Sequence, residues 1–506
     1  MTRGIAWPVD AKSGKASSTK IGKSVWCEVL NVLGTDEAKE LASAINAERG
    51  WRANYTSYIV KLVELQAAAS PEVCLASCKA GLDKLNSTMT WVSGDGIVTG
   101  AATDAMSSQL QKGTFNTTEQ KGTGSAEKDF TIQAPSGHSK SVLSKADLAA
   151  QGEAWANYGC IEPSAARAIA GIANSKDCTD LVRDKIFVLL GATSALGPFK
   201  ALSRLGATIA CVARPGKKLN KLVEEAKSTA ATLLIPTKGD VVGADLLSDT
   251  PEIAEWVISL SKKYPGKQLV VGCYIYLDGE RHVRASVGMD LAVDAILKAC
   301  PNTAITQLVS PATAHAISDE AKADSLARYA NTPLWHAPFR AGFGSFAKNA
   351  REAMSTGVSV TDGLSNMQGP NYALAKTSQQ WRAFVAKAEG FVTSANHAPA
   401  ARTESMVAYT TIAAALEGMQ SFEPLVAYDP QTASDMMAAI LLSDLSNELS
   451  AANPKNKDAH PFNLLIENAC HGGMWRCAYT TDSIGKWSFL YGKMTSRYTP
   501  EGSLSK

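Results

Sequence analysis

The sequence lacks several features that would point to particular classes of protein. No apolar run approaches the roughly twenty residues that cross a bilayer. Charge of one sign does not dominate, because 50 Lys and Arg residues face 48 Asp and Glu residues, so neither nucleic acid nor an anionic membrane is favoured as a partner. The first 26 residues lack the apolar core of a secretory signal. We therefore expect a cytoplasmic protein, with an organelle transit peptide as the open alternative.

Clusters of metal-ligating residues are missing as well. Ten cysteines are scattered along the chain, several of them inside apolar runs. The one tight pair, Cys74 and Cys78, would need two further ligands to hold a metal, and no group of His or Cys supplies them. The pattern therefore predicts reduced thiols in the core of an intracellular protein, and no metal site.

What the chain does contain is a strand, a glycine turn, a helix and a second strand over residues 185–214. The opening apolar run is typical of a strand buried on both faces. Gly191 and Gly197 then allow a sharp turn into a helix over Pro198–Leu205, whose first-turn N–H groups suit a pyrophosphate. Arg214 ends the second strand, where a guanidinium can pair with a 2′-phosphate, which favours NADP(H) over NAD. Glycine turns also occur in α/β proteins that bind no dinucleotide, and this alternative stays open.

The composition divides the chain into four parts. Residues 1–92 show helical periodicity and predict a mostly helical N-terminal domain. Residues 93–180 are rich in Gly, Ser, Thr and Lys and predict a loop-rich connection, with a hairpin and a lead-in helix. Residues 181–480 alternate strand and helix patterns, which predicts an α/β fold with a Rossmann-type doubly wound parallel sheet. Within them, residues 312–369 predict an insertion, either a lid or an ordinary surface-packed segment, and residues 481–506 predict a C-terminal tail.

One pair of residues can carry acid-base chemistry. Tyr372 and Lys376 lie four residues apart in a strong helical pattern, so they share one face of the helix. A phenol titrates at about pH 10 unaided, and a neighbouring ammonium favours its charged form. Tyr372 can then exchange a proton with a carbonyl or alcohol oxygen near neutral pH. Chance pairs with this spacing are common, so the surrounding sequence decides what the pair means.

From about Arg183 to Trp475 the chain resembles the short-chain dehydrogenase/reductase superfamily. LGATSALG at Leu190–Gly197 is similar to the family's TGxxxGxG turn, and ARPGKKLNKLVEEA resembles the second-strand end of its NADP-using members. YALAK matches its YxxxK motif, and FVTSANHAPAARTESM resembles its nicotinamide-side strand and loop. DMMAAILLSDLS and NLLIENACHGGMW are similar to its last helix and last strand.

The resemblance implies an NADP(H)-dependent oxidoreductase with a Ser, Tyr and Lys site. The catalytic residues that it implies are Ser310, Tyr372 and Lys376. The cofactor-binding residues that it implies are Gly191, Thr193, Ser194, Leu196, Gly197, Arg214, Asp245, Leu246, Lys376, Pro399 and Thr403. The expected substrate is a ketone, first of all a 3-oxoacyl thioester, because Ser310-Pro311 is similar to the ketoreductases of large fatty-acid synthases. Family members commonly associate through the Tyr-bearing helix, so a dimer or tetramer is also implied.

Departures from the family pattern leave alternatives open. Ser310 closes the predicted fifth strand but lies 62 residues before Tyr372, whereas Ser359 lies 13 residues before it, which is the usual spacing. We predict Ser310, because a strand end is what places a hydroxyl against the substrate oxygen. The family's NNAG-like turn is replaced by CYIYLDGE, and only Asp290 occupies roughly the place of its helix Asn. A catalytically weakened binding or scaffold protein and an NADPH-dependent enoyl reductase are therefore the alternatives.

Overall fold

The computed structural model describes residues 2–10, 12–109, 115–341, 346–350 and 358–495. A mostly parallel sheet lies at the centre, and helices cover both of its faces. The strands are β1 (Gly4–Ala6), β2 (Thr90–Val92), β3 (Val98–Ala101), β4 (Asn116–Lys121), β5 (Thr131–Gln133), β6 (Val142–Ser144), β7 (Lys185–Leu190), β8 (Thr208–Val212), β9 (Thr232–Lys238), β10 (Val241–Val242), β11 (Gln268–Cys273), β12 (Thr303–Val309), β13 (Ala314–Ala316), β14 (Val360–Asp362) and β15 (Thr393–His397).

The helices surround this sheet and extend well beyond it. They are α1 (Ser18–Leu33), α2 (Asp36–Ala47), α3 (Trp51–Ala68), α4 (Pro71–Thr88), α5 (Ala102–Gln109), α6 (Lys145–Tyr158), α7 (Pro163–Ala173), α8 (Asp180–Arg183), α9 (Phe199–Arg204), α10 (Lys217–Ala226), α11 (Thr250–Lys263), α12 (Glu280–Ala299), α13 (Asp319–Ala330), α14 (Ala337–Ala341), α15 (Pro370–Ala388), α16 (Glu404–Val407), α17 (Thr410–Met419), α18 (Pro430–Ser446), α19 (Asn463–Ile466) and α20 (Thr481–Thr495). A 3₁₀ turn over Leu334–His336 precedes α14. Every helix in the described ranges is too short or too polar to traverse a lipid bilayer.

The central sheet has parallel strands in the spatial order β9, β8, β7, β11, β12, β15. At its β9 edge, β4 pairs antiparallel along β9, and β10 pairs with the end of β9. Counted along the chain, the parallel strands lie in the order 3-2-1-4-5-6, which is an order found in doubly wound α/β sheets. The structure thus confirms the mixed α/β class with a large parallel sheet and is compatible with the Rossmann-type prediction.

Alternate residues of the central strands pack on opposite faces of the sheet. In β7, Ile186, Val188 and Leu190 belong to the core that includes α11, α12 and α15. Phe187 and Leu189 belong to the core that includes α7, α9 and α18. A strand with helices on both sides must be apolar at every position, which is why its sequence is an unbroken apolar run.

The N-terminal helices form a further layer outside α15. α1 and α4 contact α15, and the ring of Trp26 in α1 meets the ring of Trp381 in α15 edge to face, with centroids 5.5 Å apart. Gly81 of α4 permits this close packing, because a Cβ atom there would lie only 2.6 Å from the Trp381 ring. One apolar core joins these helices to the sheet. The same chain therefore covers the helix through which the resemblance implies that subunits associate.

Some predicted boundaries differ from the structure. The sequence pattern predicts a strand over Gln268–Leu277, but β11 ends at Cys273, because the chain then crosses the end of β7 and leaves the sheet. The prediction of a last strand in NLLIENACHGGMW is wrong. Its first residues form α19, and Gly472 and Gly473 adopt positive φ angles of 63° and 85°, which do not fit a strand. The predicted C-terminal tail contains α20, which packs against α17.

The described parts of the insertion (residues 312–369) and of the connection (residues 93–180) contain more secondary structure than their composition suggests. Residues 342–345 and 351–357 of the insertion lie outside the described residues. In its described part, β13 pairs with β14, and His336 and Phe346 pack on Phe422 in a third apolar core. Whether the segment also serves as a lid stays a prediction. The connection over 93–180 contains the expected β5–β6 hairpin, and all ten cysteines of the chain are free and buried, which confirms their place in the core.

Candidate active site

The carboxyl ends of the parallel strands bring several predicted site residues to one edge of the sheet. Gly191 directly follows β7, Arg214 follows the end of β8, and Ser310 directly follows β12. The neighbouring strands β7 and β11 connect onward to opposite sides of the sheet. In doubly wound sheets, ligands bind at the carboxyl edge where the connections diverge in this way.

Ser310 and Tyr372 meet at this edge. Tyr372 lies in the first turn of α15, which begins at Pro370, and its Oη donates a hydrogen bond to Ser310 Oγ over 2.8 Å. Ser310 is 5% exposed, and its Oγ also accepts a hydrogen bond from the backbone N–H of Ala312. Both hydroxyl groups thus lie where the end of β12 faces the start of α15.

The second candidate serine lies elsewhere. Ser359 directly precedes β14, and its backbone carbonyl accepts a hydrogen bond from the N–H of Ile317 beside β13. Its own hydroxyl is buried and makes no hydrogen bond to a described residue. The structure therefore brings Ser310, and not Ser359, to Tyr372, although Ser359 has the spacing that is usual in the family.

Lys376 lies one helical turn beyond Tyr372 and points to the end of β12. Its Nζ donates to the carbonyl oxygen of Leu308 over 2.9 Å and to Gln379 Oε1 over 3.0 Å. Burial lowers the pKa of the Lys376 ammonium from its usual value to about 7. The amine therefore changes charge close to neutral pH, which an exposed lysine does not do.

The pKa of Tyr372 differs from the prediction made from the Tyr and Lys spacing. Burial raises the pKa of this phenol to about 12, and the hydrogen bond with Ser310 opposes the rise. The ammonium of Lys376 donates instead to Leu308 and Gln379. Without a ligand, Tyr372 is therefore a neutral phenol that holds its proton firmly.

Two aromatic rings that sequence reasoning missed flank Tyr372. His282, in the first turn of α12, has its ring 5.8 Å from the Tyr372 ring at an angle of 24°. Tyr276 packs against both rings, with centroid distances of 4.9 Å to His282 and 6.3 Å to Tyr372. The sequence CYIYLDGERH contained this signal, but only as a departure from the NNAG-like turn.

The glycine turn after β7 is shaped by the segment that follows β11. Gly191 has a φ of 102°, and a Cβ atom there would lie 2.7 Å from Ile275 Cγ1 and 2.8 Å from Ile275 N. Only glycine fits such a position. Ile275 directly precedes Tyr276, so one short segment connects the glycine turn with the rings around Tyr372.

The glycine turn also presents unpaired backbone donors. The N–H groups of Thr193, Ala195 and Leu196 donate to no residue in the part of the chain that the structure describes. Successive free amides of this kind can bind an anion. The helix after the turn, α9, has six residues and is shorter than predicted. The amides of the turn itself, rather than a helix dipole, therefore suit a pyrophosphate.

Arg214 and Asp245 lie at a cleft beyond the ends of β8 and β9. The cleft has a volume of about 310 Å³ and is lined by Phe115, Pro215, Lys238, Val241, Gly243, Ala244, Asp245, Ser248, Asp249 and Glu252. Arg214 directly precedes Pro215 and is exposed, and it forms no ion pair with a described residue. Asp245 Oδ1 accepts a hydrogen bond from the N–H of Leu247. The lining of the cleft holds three carboxylates and one lysine, and the free guanidinium of Arg214 lies next to it in the chain rather than among the lining residues.

The remaining predicted cofactor residues are less exposed. Leu246 is 2% exposed and belongs to the apolar core. Pro399 is buried against Gly472, and Thr403 precedes α16, with its hydroxyl 3.2 Å from that of Ser405. Thr193, Ser194 and Leu196 are partly exposed in the glycine turn.

Asp290 has a structural partner rather than a place at the site. Its carboxylate pairs with the guanidinium of Arg382 on α15, with 3.0 Å between Arg382 Nη2 and Asp290 Oδ2. Asn86 of α4 donates to the same carboxylate over 2.6 Å. Asp290, which occupies roughly the place of the family's helix Asn, therefore joins α12, α15 and α4.

A buried network supports the Ser310 turn. His315 Nε2 lies 2.7 Å from the carbonyl oxygen of Ser310 and 2.9 Å from Thr313 Oγ1. Gln380 of α15 donates to the same Thr313 hydroxyl over 3.0 Å. Burial lowers the pKa of His315 to about 4, so its ring is neutral near pH 7 and Nε2 carries the proton that it donates to Ser310. This network ties the strand end to the helix that bears Tyr372 and Lys376.

Comparison with known proteins does not bear on this arrangement. No protein-family model and no curated protein matches the chain. The geometry itself gives two hydroxyl donors, a lysine that titrates near neutral pH and a glycine turn with free amides, all at one edge of a parallel sheet. Such a set can orient a carbonyl oxygen and deliver a proton to it.

Proposed function

We propose that this protein is an NADPH-dependent carbonyl reductase that acts on a ketone, first of all a 3-oxoacyl thioester. The hydrogen bond of 2.8 Å between Tyr372 Oη and Ser310 Oγ is the observation that carries the proposal. It brings together two residues that lie 62 positions apart in the sequence, at the sheet edge where ligands bind in this architecture.

Ser310 and Tyr372 would act on the carbonyl oxygen of the substrate. The two hydroxyl groups lie 2.8 Å apart, so an oxygen placed beside the pair can accept from both once the Tyr372 O–H turns from Ser310 to this oxygen. Tyr372, whose pKa is about 12, retains its proton until negative charge develops on that oxygen. An alkoxide is a stronger base than a phenolate, so the proton then moves from Tyr372 Oη to the substrate oxygen. Ser310 Oγ stabilises the phenolate that remains.

NADPH, when bound, supplies the hydride for the carbonyl carbon. The chain fits this cofactor at two places. The free amides of Thr193, Ala195 and Leu196 suit its pyrophosphate. Arg214 is exposed at the end of β8, where its guanidinium can pair with the 2′-phosphate. Lys376, which now donates to Leu308 and Gln379, is the residue that the resemblance assigns to the ribose.

The proposal predicts NADPH binding that depends on Arg214. We expect Arg214→Ala to weaken NADPH binding by about tenfold to a hundredfold, because one charge-assisted contact is lost, and to leave NADH binding almost unchanged. Nicotinamide fluorescence titrations of both cofactors measure this. The exposed Arg183, at the opposite end of β7, provides the matched control variant Arg183→Ala. A wild-type protein that binds neither cofactor would remove the basis of the proposal.

The pKa of Lys376 predicts a pH dependence. Burial lowers this pKa to about 7, so the ammonium is present below about pH 7 and is lost as the pH rises through that value. Because the charged form is the one proposed to hold the ribose, kcat/KM for NADPH in ketone reduction should decline as the pH rises from 7 to 9. Initial rates over this range test the decline, with urea unfolding at each pH as the control. A flat profile would contradict the role given to Lys376.

The second candidate is a binding protein that retains the fold without turnover. It is favoured by the packing of Ile275 on Gly191, since this contact requires glycine there whether or not a dinucleotide binds. The cleft of about 310 Å³ contains none of Ser310, Tyr372 and Lys376 in its lining. The same holds for a second cleft of about 790 Å³, between the β5–β6 hairpin and the start of α18. The cofactor titration separates the two candidates, and product analysis separates ketone reduction from enoyl reduction.

A further inference from the structure

His282 carries a buried polar atom that lacks a partner. The side chain is 1% exposed, and its Nε2 makes no hydrogen bond to any described residue. Burying a polar group without a partner costs roughly 1–3 kcal/mol, so such an atom beside a candidate site calls for an explanation. The ring stacks on that of Tyr372, with 5.8 Å between the centroids.

The contacts of the ring define where its proton lies. Nδ1 of His282 accepts a hydrogen bond from the backbone N–H of Leu277 over 3.4 Å. Burial, and then the charge of Lys376, lower the pKa of His282 well below its usual value, so the imidazole is neutral. A neutral ring that accepts at Nδ1 carries its proton at Nε2. Nε2 is therefore a hydrogen-bond donor with no acceptor.

This donor is additional to those of the proposed reaction. Ser310 and Tyr372 lie within hydrogen-bond distance of each other and together serve the oxygen of the reacting carbonyl. The ring of His282 stacks on that of Tyr372 and packs against Tyr276, which is 44% exposed. Because the two rings lie 5.8 Å apart, a ligand that reaches Tyr372 also comes close to the ring of His282.

We propose that His282 is a specificity-determining residue whose Nε2–H donates to a second oxygen of the substrate, so that the protein selects ketones that carry a further carbonyl oxygen near the reacting one. This inference rests on the proposed function and names the residue by which a 3-oxoacyl compound would be preferred over a simple ketone. A ketone without the second oxygen leaves the buried donor unpaired, whereas a 1,3-dicarbonyl compound satisfies it. Sites that hydrogen-bond a substrate discriminate strongly against analogues that lack the bonded group.

The test compares ethyl acetoacetate with 2-heptanone, a ketone of similar size that lacks the second carbonyl. For the wild-type protein with NADPH, we expect a higher kcat/KM for ethyl acetoacetate. His282→Phe should lower the ratio of the two kcat/KM values (ethyl acetoacetate over 2-heptanone) by about tenfold. The variant His282→Gln should keep most of the wild-type ratio, because the Gln amide nitrogen can occupy the position of Nε2. His282→Asn should not restore it, because its amide reaches only the position of Nδ1. His138→Phe, at an exposed histidine, is the control.

Binding measurements supply a readout that does not depend on turnover. His282→Phe should weaken the binding of ethyl acetoacetate to the protein loaded with NADP⁺ by about tenfold, as measured by ligand-observed NMR. The Kd for NADPH should stay within about twofold.

The possible failures are distinguishable from one another. A His282→Phe variant that keeps the wild-type substrate preference overturns this inference alone. A His282→Phe variant whose NADPH affinity falls as much as its affinity for ethyl acetoacetate also overturns it, because the donor would then serve the cofactor. If Asn restores the preference as well as Gln does, the inference also fails. A wild-type protein that binds no NADPH and reduces neither ketone overturns the proposed function itself.

Discussion

Replacing Tyr372 by Phe should lower NADPH-dependent ketone reduction by about a thousandfold, which lies within the range that general acid catalysis contributes. The change removes the Oη that donates to Ser310 over 2.8 Å and leaves the ring that packs against His282 and Tyr276. The Ser310 hydroxyl that remains is an alcohol, which is a weaker acid than a phenol and protonates the product oxygen less readily. Initial rates of NADPH oxidation with a panel of ketones, ethyl acetoacetate among them, measure the effect.

The control for this loss is the cofactor itself. Tyr372→Phe should bind NADPH nearly as well as the wild-type protein, because Oη contacts Ser310 and not the glycine turn. Tyr491→Phe, which removes a phenol hydroxyl from an exposed position on α20, should keep full activity. If Tyr372→Phe retained wild-type rates, Tyr372 would not be the proton donor and the candidate site would be wrongly assigned.

The largest effect on stability is expected at the buried ion pair between α12 and α15. Replacing Arg382 by Met leaves the carboxylate of Asp290 buried, with the amide of Asn86 as its remaining hydrogen-bond donor among the described residues. Leaving one member of a buried pair uncompensated typically costs about 3–5 kcal/mol. We therefore expect the free energy of unfolding to fall by that amount. Urea denaturation followed by tryptophan fluorescence and by circular dichroism measures it.

A second substitution tests the cause of this loss. The double variant Asp290→Asn, Arg382→Met has no uncompensated charge at this place, so it should recover at least half of the lost free energy of unfolding. Lys79→Ala breaks an exposed pair with Asp83 on α4 and should cost less than about 1 kcal/mol. An Arg382→Met variant no less stable than Lys79→Ala would show that the buried pair does not hold the helices together.

The parallel sheet could be predicted because its signal is local. A strand that is covered on both faces must be apolar throughout, and the run before Gly191 shows this directly. The pairing of Tyr372 with Ser310 also followed from a general rule, since strand ends and first helical turns meet at the carboxyl edge. Spacing in the sequence alone would have selected Ser359, because the insertion separates Ser310 from Tyr372 by 62 residues.

Other features depend on contacts that no local pattern records. The unpaired Nε2 of His282 and the pairing of Asp290 with Arg382 arise from the packing of α12 on α15. The end of β11 is set by Ile275 lying against Gly191, and the apolar residues after Cys273 gave no sign of this. The pKa of Tyr372 likewise depends on its burial and on where the amine of Lys376 points.

Because α1 and α4 belong to the same chain as α15, the packing of α15 should not depend on the protein concentration. A cover supplied by another molecule is lost when the protein concentration drops below the dissociation constant. Here Trp26 and Gly81 meet Trp381 within one polypeptide, so the cover is tethered and its effective concentration is set by the chain alone. The helix that bears Tyr372 and Lys376 therefore keeps its outer packing in a single isolated molecule.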